Sequence, residues 1–509
     1  MKEEKTILIG GQAGQGIAFT SHLLAKAFSR LGYFVFVYRD YQSLIKGGHN
    51  FNVIKISPSP VFSHQPPYDI IIALDQNTIN LHEKNLKKDG FVLGSTGLKT
   101  ERKFLSLDLE KLIKEENWPS IFGNNILLGF ISAFLGVPQS ECEGLLDSLV
   151  FEKKDLVKKS FAKGYFLAKK TREIKKVSEE KYLMSGNEAV AMAAVLSGLD
   201  IYFAYPMTPS TPVLHFLNQK QLDFDLIAFQ LDDEIAVINS ALGASFGGAK
   251  VMVGTSGGGF ALMNEGLSLA GMAELPIVIY LSQRPGPATG VPTYTAQGDL
   301  NFALYGGHGE FPRIVLSAGT SQETILRIQQ AFYLSWKFRT PAIFLGDKHL
   351  AENTFSFDKI PVFEKARERF ILKKERKENY PFEEKGIYRQ QIPGISLFAR
   401  VSSYEHDPSG ITSEDPLVIK KMHERRMGKL KEIEKEMEEM EPCLTFGQGK
   451  NLIISWGSTA GPILDALKEL KDFRFLEISF LSPFPEKIVK KEIEKAKEVF
   501  LIENNISSP

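Results

Sequence analysis

Glu234 is the residue in this sequence best placed to handle a proton. It closes an acidic run, Asp232-Asp233-Glu234, and opens a stretch rich in small and apolar residues, 236–249. An acid just ahead of a helix is favoured by the helix dipole, and that suffices to explain Asp232 and Asp233. Glu234 stands where the chain turns apolar, so its carboxyl is expected to face inwards. A buried carboxyl resists ionisation and can share a proton with a nitrogen atom of a bound ligand.

Three further loops carry groups of the same kind. Tyr205-Pro206-Met207-Thr208-Pro209-Ser210-Thr211 has two prolines to fix the backbone and hydroxyls at Thr208, Ser210 and Thr211. Such a loop suits a small polar ligand, and the same hydroxyls could also cap the following helix. Gly254-Thr255-Ser256-Gly257-Gly258-Gly259-Phe260 reads as a strand-to-helix turn. In Gln283-Arg284-Pro285-Gly286-Pro287, and on to Thr293, an arginine is braced by prolines. A braced guanidinium is a natural clamp for a carboxylate, whereas a lone surface arginine is ordinarily just solvated. Four such loops after successive strands favour a ligand site.

The elements that must hold these loops are legible from pattern. A helix is expected over Gly186–Leu196, with strands at Tyr202–Ala204, Lys250–Gly254, Ile277–Leu281 and Ala342–Leu345. The Gly- and Ala-rich segments between them suit helix–sheet packing in an α/β domain. Nearer the N-terminus, Thr6–Ile9 reads as a strand, followed by Gly10-Gly11-Gln12-Ala13-Gly14-Gln15-Gly16, a helix from Ile17 to Leu31 and a strand Phe34–Tyr38. That order is a βαβ unit, with further strands at Asn52–Ile56, Ile70–Leu74 and Gly90–Gly94. Gly11, Gly14 and Gly16 do not have the spacing of a dinucleotide fold, which argues against a nicotinamide dehydrogenase. The loop is either an amide nest for a phosphate or a tight packing turn. With Tyr38-Arg39-Asp40-Tyr41 and Lys46-Gly47-Gly48-His49-Asn50 it forms one candidate functional edge.

The chain reads as multidomain. Residues 1–170 form the first α/β domain, 171–183 a polar linker and 184–366 the second α/β domain. Residues 367–447 are a charged connector with a late amphipathic helix bearing Leu430, Ile433, Met437 and Met440. A third α/β piece, 448–509, opens on a strand at Asn451 and the turn Gly457-Ser458-Thr459-Ala460-Gly461. Its strands at Phe473–Ile478 and Val499–Ile502 leave a last βα unit that reads as incomplete.

Composition narrows the function classes. A length of 509 residues exceeds one hydrophobic core. A formal net charge of +0 gives no global field for nucleic acid or an anionic membrane. No apolar run reaches membrane-spanning length and no signal segment is evident, so a cytoplasmic protein is expected. Two cysteines, Cys142 and Cys443, cannot hold a four-thiolate cluster, and no metal site is expected on this chain.

Together these motifs resemble the alpha subunit of the 2-oxoacid:ferredoxin oxidoreductases with a gamma domain fused in front, most closely the 2-oxoglutarate branch. Residues 7–50 carry the gamma pattern, from Gly10-Gly11-Gln12 through Lys46-Gly47-Gly48-His49-Asn50. Residues 184–350 resemble the pyrimidine-binding domain of thiamine diphosphate enzymes, including Gln297-Gly298-Asp299-Leu300 and Gly306-Gly307-His308-Gly309-Glu310. Glu405-His406-Asp407 also resembles the family, and is expected to be a hydrogen-bonded loop at an interface rather than a metal site. The turn at Gly457 resembles the opening of a transketolase C-terminal domain.

The resemblance implies specific roles. Glu234 matches the glutamate that bonds N1′ of the cofactor's aminopyrimidine and so promotes removal of the thiazolium C2 proton. Pro206, Thr255 and Ser256 are implied to line the cofactor. Thr208, Arg284 and Thr293 match residues on the substrate side. Gly11, Gly14, Gly16, Arg39, Lys46, Gly47, Gly48 and His49 are candidates for coenzyme A or for an interface. The implied reaction is oxidative decarboxylation of a 2-oxoacid with coenzyme A, giving acyl-CoA, CO2 and reduced ferredoxin. The Gly-Asp-Gly motif for diphosphate and Mg2+ has no copy here. It belongs, with the [4Fe-4S] cysteines, to a partner beta subunit, in an alpha-beta or (alpha-beta)2 assembly. Gly258 stands where the family commonly has proline. Tyr294 and Ala296 stand where the 2-oxoglutarate branch often has lysine and glutamate, which bears on the choice among 2-oxoglutarate, pyruvate and branched-chain or aryl 2-oxoacids. Tyr404 replaces a small residue. A non-catalytic assembly subunit that retains the fold is the alternative, and Glu234, Thr208 and Arg284 argue against it.

Overall fold

The computed structural model describes residues 4–42, 48–148, 153–168 and 173–507. The chain divides into two compact units, Met1–Met184 with Asn353–Ile360, and Ser185–Glu352 with Pro361–Pro509.

The first unit is built on an eight-stranded sheet. Its strand order is Lys103–Leu107, Leu86–Ser95, Tyr68–Ala73, Lys5–Gln12, His49–Ser57, Phe34–Asp40, Thr354–Phe357 and Tyr182–Ser185. The expected βαβ unit is modified. His49–Ser57 lies antiparallel between Lys5–Gln12 and Phe34–Asp40, so the two strands joined by helix Ile17–Arg30 are not neighbours. The connection from Asp40 to His49 is too short for a parallel crossover, which leaves antiparallel pairing as the available arrangement. Helix Ile17–Arg30 and helix Gly123–Phe134 bury their apolar faces with Ile7, Ile9, Val35 and Ile54 of the sheet in one core.

Two expected boundaries are corrected here. Residues 353–360 belong to this unit rather than to the second domain. Thr354–Phe357 pairs antiparallel with Phe34–Asp40, and Ser356 Oγ and Asn353 Oδ1 accept from the amides of Val35 (2.6 Å) and Arg39 (3.1 Å). The described part of the expected linker 171–183 is pinned down. The amides of Ile174, Val177 and Lys181 donate to the carbonyls of Gly136, Leu31 and Ser29. It runs past the carboxyl ends of helices Ile17–Arg30 and Gly123–Phe134 and takes up carbonyls that those helix ends leave open.

The second unit holds a seven-stranded sheet, in the order Phe480–Ser482, Ile314–Leu316, Pro341–Asp347, Ile277–Gln283, Val251–Thr255, Ile201–Ala204 and Ile227–Gln230. All neighbours are parallel except Phe480–Ser482. Ile227–Gln230 was not legible as a strand, because it lies on the edge and only Ala228 is buried. Val253, Ile279, Leu281 and Ile343 form the sheet's core with Val237, Phe260 and Leu267 from the helices.

The connector's helix runs Pro416–Glu438, capped by Asp415, whose carboxylate accepts from the amides of Leu417 and Val418. Ile433 and Met437 are buried as the apolar stripe predicts. Charges anchor the helix as well. Arg425 Nη1 and Lys429 Nζ each lie 2.5 Å from the carboxylate of Glu274, and all three side chains are buried. That pairing holds the Glu274 carboxyl far below its usual range despite burial. The final sheet has the order Cys443–Gly447, Phe473–Ile478, Asn451–Ser455 and Val499–Leu501. It therefore starts ahead of the expected boundary at 448, because Cys443–Gly447 pairs antiparallel with Phe473–Ile478.

Candidate active site

Ile277–Gln283, Val251–Thr255, Ile201–Ala204 and Ile227–Gln230 are four adjacent parallel strands. Their carboxyl ends therefore lie along one edge of the sheet, and the four chemically special loops follow them directly. Open α/β sheets bind ligands at that edge.

Glu234 opens the helix Glu234–Phe246, and Asp233 caps it, accepting from the amide of Ala236 at 2.7 Å. Because the cap is supplied by Asp233, Glu234 is free to turn inwards. It is 4 % exposed, and its Oε1 has no hydrogen-bond partner among the described residues. Burial raises its pKa, and the neighbouring Asp233 charge adds to the shift. A buried carboxyl with an open oxygen is a site for a ligand proton. Ser256, fully buried at the end of Val251–Thr255, also leaves its Oγ without a partner. Thr255 is buried too, and Gly259 brings its hydroxyl and the Glu234 carboxyl together. A Cβ on Gly259 would crowd Thr255 Oγ1 and lie 2.5 Å from Glu234 Oε1.

Arg284 follows the neighbouring strand and is 8 % exposed. Its Nη1 donates to the carbonyl of Thr208 at 2.7 Å, which ties the proline-braced loop to the arginine loop, while its Nε is buried without a partner. Burial lowers its pKa, and Asp299 opposes that shift. Thr208, Pro206 and Thr293 are half-buried. Ser210 heads helix Thr211–Phe224 but does not cap it with its side chain. Its Oγ donates back to the Met207 carbonyl at 2.8 Å, so the hydroxyl tightens the loop instead.

Sequence reasoning gave no role to Gln283, Gln297, Asp299 or Gly259. Gln283 is fully buried, and its Oε1 accepts from the amide of Asp299 at 2.9 Å. Asp299 Oδ2 lies 2.6 Å from where a Cβ on Gly257 would stand. A glutamine ending a largely apolar strand was the available signal.

In the first unit the register brings the glycine loop and the His49 segment together, with Gly11 opposite Asn50 and Gln12 opposite His49. Gly14 and Gly16 have positive φ, and the Gln15 side chain folds back to accept from the Gln12 amide at 2.8 Å. Arg39 stacks on Tyr41, 4.9 Å from the ring centre. His49 Nε2 lies 2.9 Å from His82 Nε2. Gly48 is described, whereas Lys46 and Gly47 lie outside the described residues. Glu405-His406-Asp407 is a hydrogen-bonded loop within the second unit. Glu405 pairs with Arg426 at 2.6 Å, and the ring of buried His406 lies tilted against Tyr380 with centres 4.1 Å apart.

Residues 192–424 match the family described as pyruvate flavodoxin/ferredoxin oxidoreductase, thiamine diphosphate-binding, and residues 6–165 match pyruvate ferredoxin/flavodoxin oxidoreductase. The chain is 31 % identical over 575 aligned positions to a 2-oxoacid:ferredoxin oxidoreductase subunit alpha of a Sulfolobus species, covering 98 % of this chain and 90 % of the relative. The chain belongs to the 2-oxoacid:ferredoxin oxidoreductase alpha subunits. Within that family it is 30 % identical to the 2-oxoglutarate synthase subunit KorA of Methanocaldococcus jannaschii, over 64 % of this chain and 88 % of the relative. The solved 2-oxoglutarate:ferredoxin oxidoreductase of Magnetococcus marinus has the same architecture, with a TM-score of 0.87, 26 % identity, and coverage of 100 % of this chain and 93 % of that one. The expected fold class is thereby shown, with a gamma-type domain in front and a thiamine diphosphate-binding domain behind it. Among the described residues no helix of this alpha subunit is long and apolar enough to cross a membrane.

Proposed function

We propose that this alpha subunit forms the pyrimidine-activating and substrate-clamping half of a thiamine diphosphate site for oxidative decarboxylation of a 2-oxoacid, with 2-oxoglutarate the favoured substrate. The products are acyl-CoA, CO2 and two electrons delivered to ferredoxin. The observation that carries this reading is the pair of buried, unpartnered atoms Glu234 Oε1 and Ser256 Oγ, on one sheet edge shared with Arg284.

These residues fit the cofactor. Glu234, Ser256, Thr255 and Pro206 would hold the aminopyrimidine end, with Gly259 leaving room for the carboxyl. Thiamine diphosphate supplies the carbon nucleophile and the electron sink for decarboxylation. Glu234 holds a proton at Oε1 for exchange with a ring nitrogen, and burial keeps that proton on the carboxyl at higher pH than an exposed glutamate would. Arg284, with Nε unspent, binds the substrate carboxylate, and Thr208 and Thr293 offer hydroxyls to the oxo group.

A partner subunit completes the site. The elements that carry it also expose Tyr205, Ile227, Phe229, Ile235, Leu262 and Val291. Exposed apolar groups gathered around a polar site mark a surface to be covered. Two cysteines cannot ligate a four-iron cluster, so the cluster and the diphosphate-bound Mg2+ are assigned to a beta subunit, in an alpha-beta or (alpha-beta)2 assembly. The edge formed by Gly11, Gly14, Gly16, Arg39 and His49 is assigned to coenzyme A or to a subunit interface, and a cytoplasmic location suits ferredoxin-coupled chemistry.

The test is reconstitution with a beta subunit and a screen of 2-oxoglutarate, pyruvate, branched-chain and aryl 2-oxoacids by viologen reduction. We expect CoA-dependent reduction, fastest with 2-oxoglutarate, and none from the isolated chain. Reduction with another oxoacid alone would overturn the substrate assignment. No reduction with any of them would overturn the function.

A further inference from the structure

Gln297 is fully buried, and each of its polar atoms is spent on a segment distant in sequence. Its amide donates to the carbonyl of Asn504 at 2.7 Å, and its Oε1 accepts from the amide of Asn504 at 2.8 Å. Its Nε2 donates to the Trp456 carbonyl at 2.8 Å, and its own carbonyl accepts from Asn505 Nδ2 at 3.2 Å. The segment Glu503–Asn505 is itself fixed. Trp456 Nε1 donates to Glu503 Oε1 at 2.9 Å, and Ser455 Oγ donates to the carbonyl of Ile502 at 2.6 Å.

The other end of the same loop is held by Gln283, the last residue of the strand that precedes Arg284. Gln283 Oε1 accepts from the Asp299 amide at 2.9 Å, and Gln283 Nε2 is anchored on the Gly346 carbonyl at 3.0 Å. The loop therefore runs from Thr293, on the substrate side, to a clasp at Gln297 and an anchor at Asp299. Asp299 carries the charge that acts on Arg284. A segment that served only to join two sheets would need no such saturation of one buried glutamine. Fully satisfied buried polar networks fix a single geometry, and here the geometry fixed is that of the substrate loop.

We infer that Glu503–Asn505 is a positioning element for the 2-oxoacid site, acting through Gln297 on the loop Thr293–Asp299. The inference rests on the proposed function for the word oxoacid, while the clasp itself can be read without turnover. The segment contributes no group to the reaction. It sets where Thr293 and Asp299 stand relative to Arg284, so its loss weakens oxoacid binding and leaves the steps after binding intact.

The test uses the full chain reconstituted with its partner subunit. Gln297→Leu removes both side-chain bonds at similar volume. Asn504→Pro removes the amide that Gln297 Oε1 needs. Asn504→Ala keeps both backbone bonds and gives up only the long bond from Asn504 Nδ2 to the Thr295 carbonyl, 3.4 Å. For the first two variants we expect the KM for the oxoacid to rise about tenfold, as for a lost buried hydrogen bond. The kcat and the KM for coenzyme A should stay within about twofold. Hydrogen exchange over residues 293–299, followed in the full chain, should speed up by about tenfold, with helix Thr211–Phe224 unchanged. Asn504→Ala, which keeps the Gln297 clasp, should raise the oxoacid KM by no more than about threefold, as for one long hydrogen bond. An unchanged oxoacid KM, or an equal rise in both KM values, would overturn the inference. So would a lowered melting temperature with unchanged exchange over 293–299. Absence of turnover in the wild-type complex would instead count against the proposed function, and the exchange measurement would still decide the clasp.

Discussion

Glu234 and Gly259 share one small space: a Cβ on Gly259 would stand 2.5 Å from Glu234 Oε1. The glycine is required here by the Thr255 hydroxyl and the Glu234 carboxyl across from it and not by its backbone angles. Gly259→Ala should push Glu234 out of position and lower kcat at least about tenfold, with little change in melting temperature. Glu234→Gln should lower kcat by two to four orders of magnitude, roughly the worth of one positioned proton-transfer group, while the complex still assembles. Assembly is checked by size-exclusion chromatography and turnover by viologen reduction; full activity in Glu234→Gln would remove the role assigned to it.

Arg284 spends Nη1 on the Thr208 carbonyl and keeps Nε buried and unspent. A lysine ammonium cannot bridge a carbonyl on one side and present a planar fork on the other. Arg284→Lys should therefore raise the KM for the 2-oxoacid by about tenfold or more with a smaller change in kcat. Steady-state kinetics with 2-oxoglutarate reads this directly, and an unaltered KM would show that the carboxylate is bound elsewhere.

Glu477 lies buried beside Glu323, at the seam where Phe473–Ile478 packs near helix Ser321–Phe338. Glu323 is already satisfied by Ser479 Oγ at 2.6 Å and the Gly319 amide at 2.9 Å. Burial first, and the Glu323 charge second, push the Glu477 carboxyl well above its usual range. A raised folded pKa means stability that is complete below the unfolded value and is lost as pH rises through the folded one. Glu477→Gln keeps a donor facing Glu323 and has no proton to lose. It should melt higher than wild type at pH 8 by about 2–4 °C, equivalent to about 1 kcal/mol, with the gain shrinking towards pH 5. Melting curves across pH check this, and a pH-independent difference would refute it.

His82 faces His49 across 2.9 Å, with Lys84 nearby and with Asp75 and Asp40 acting on His49. Burial first, then the His49 and Lys84 charges, lower the His82 pKa from 6.5 to about 4. A depressed folded pKa gives stability present above the unfolded value and lost as pH falls towards the folded one. Acidification from 6.5 towards 4 should therefore destabilise the first unit through this residue. His82→Gln should flatten that part of the profile. Urea melts at pH 7 and pH 5 give the comparison, and identical pH slopes in both proteins would exclude the pair as the cause.

The legible part of the site was local. The inward turn of Glu234 followed from its place at the start of an apolar helix, and the cap at Asp233 from the acidic run before it. Helix Gly186–Leu196 and strand Phe473–Ile478 fall where periodicity puts them. Ile227–Gln230 and Thr354–Phe357 were missed. One is an exposed edge without alternation, and the other is short and pairs with a strand far back in the chain.

By itself the sequence determined the α/β class, the four special loops and the identity of the groups that could handle a proton or a carboxylate. Those depend on hydrophobic period and turn chemistry, which act over a few residues. Only the tertiary structure decided that His49–Ser57 enters its sheet antiparallel, that Gly259 makes room for Glu234, and that Gln297 is clasped by Asn504 from 207 positions away. Contacts of that kind depend on which buried polar atoms meet after the sheets are packed. No local propensity encodes that meeting.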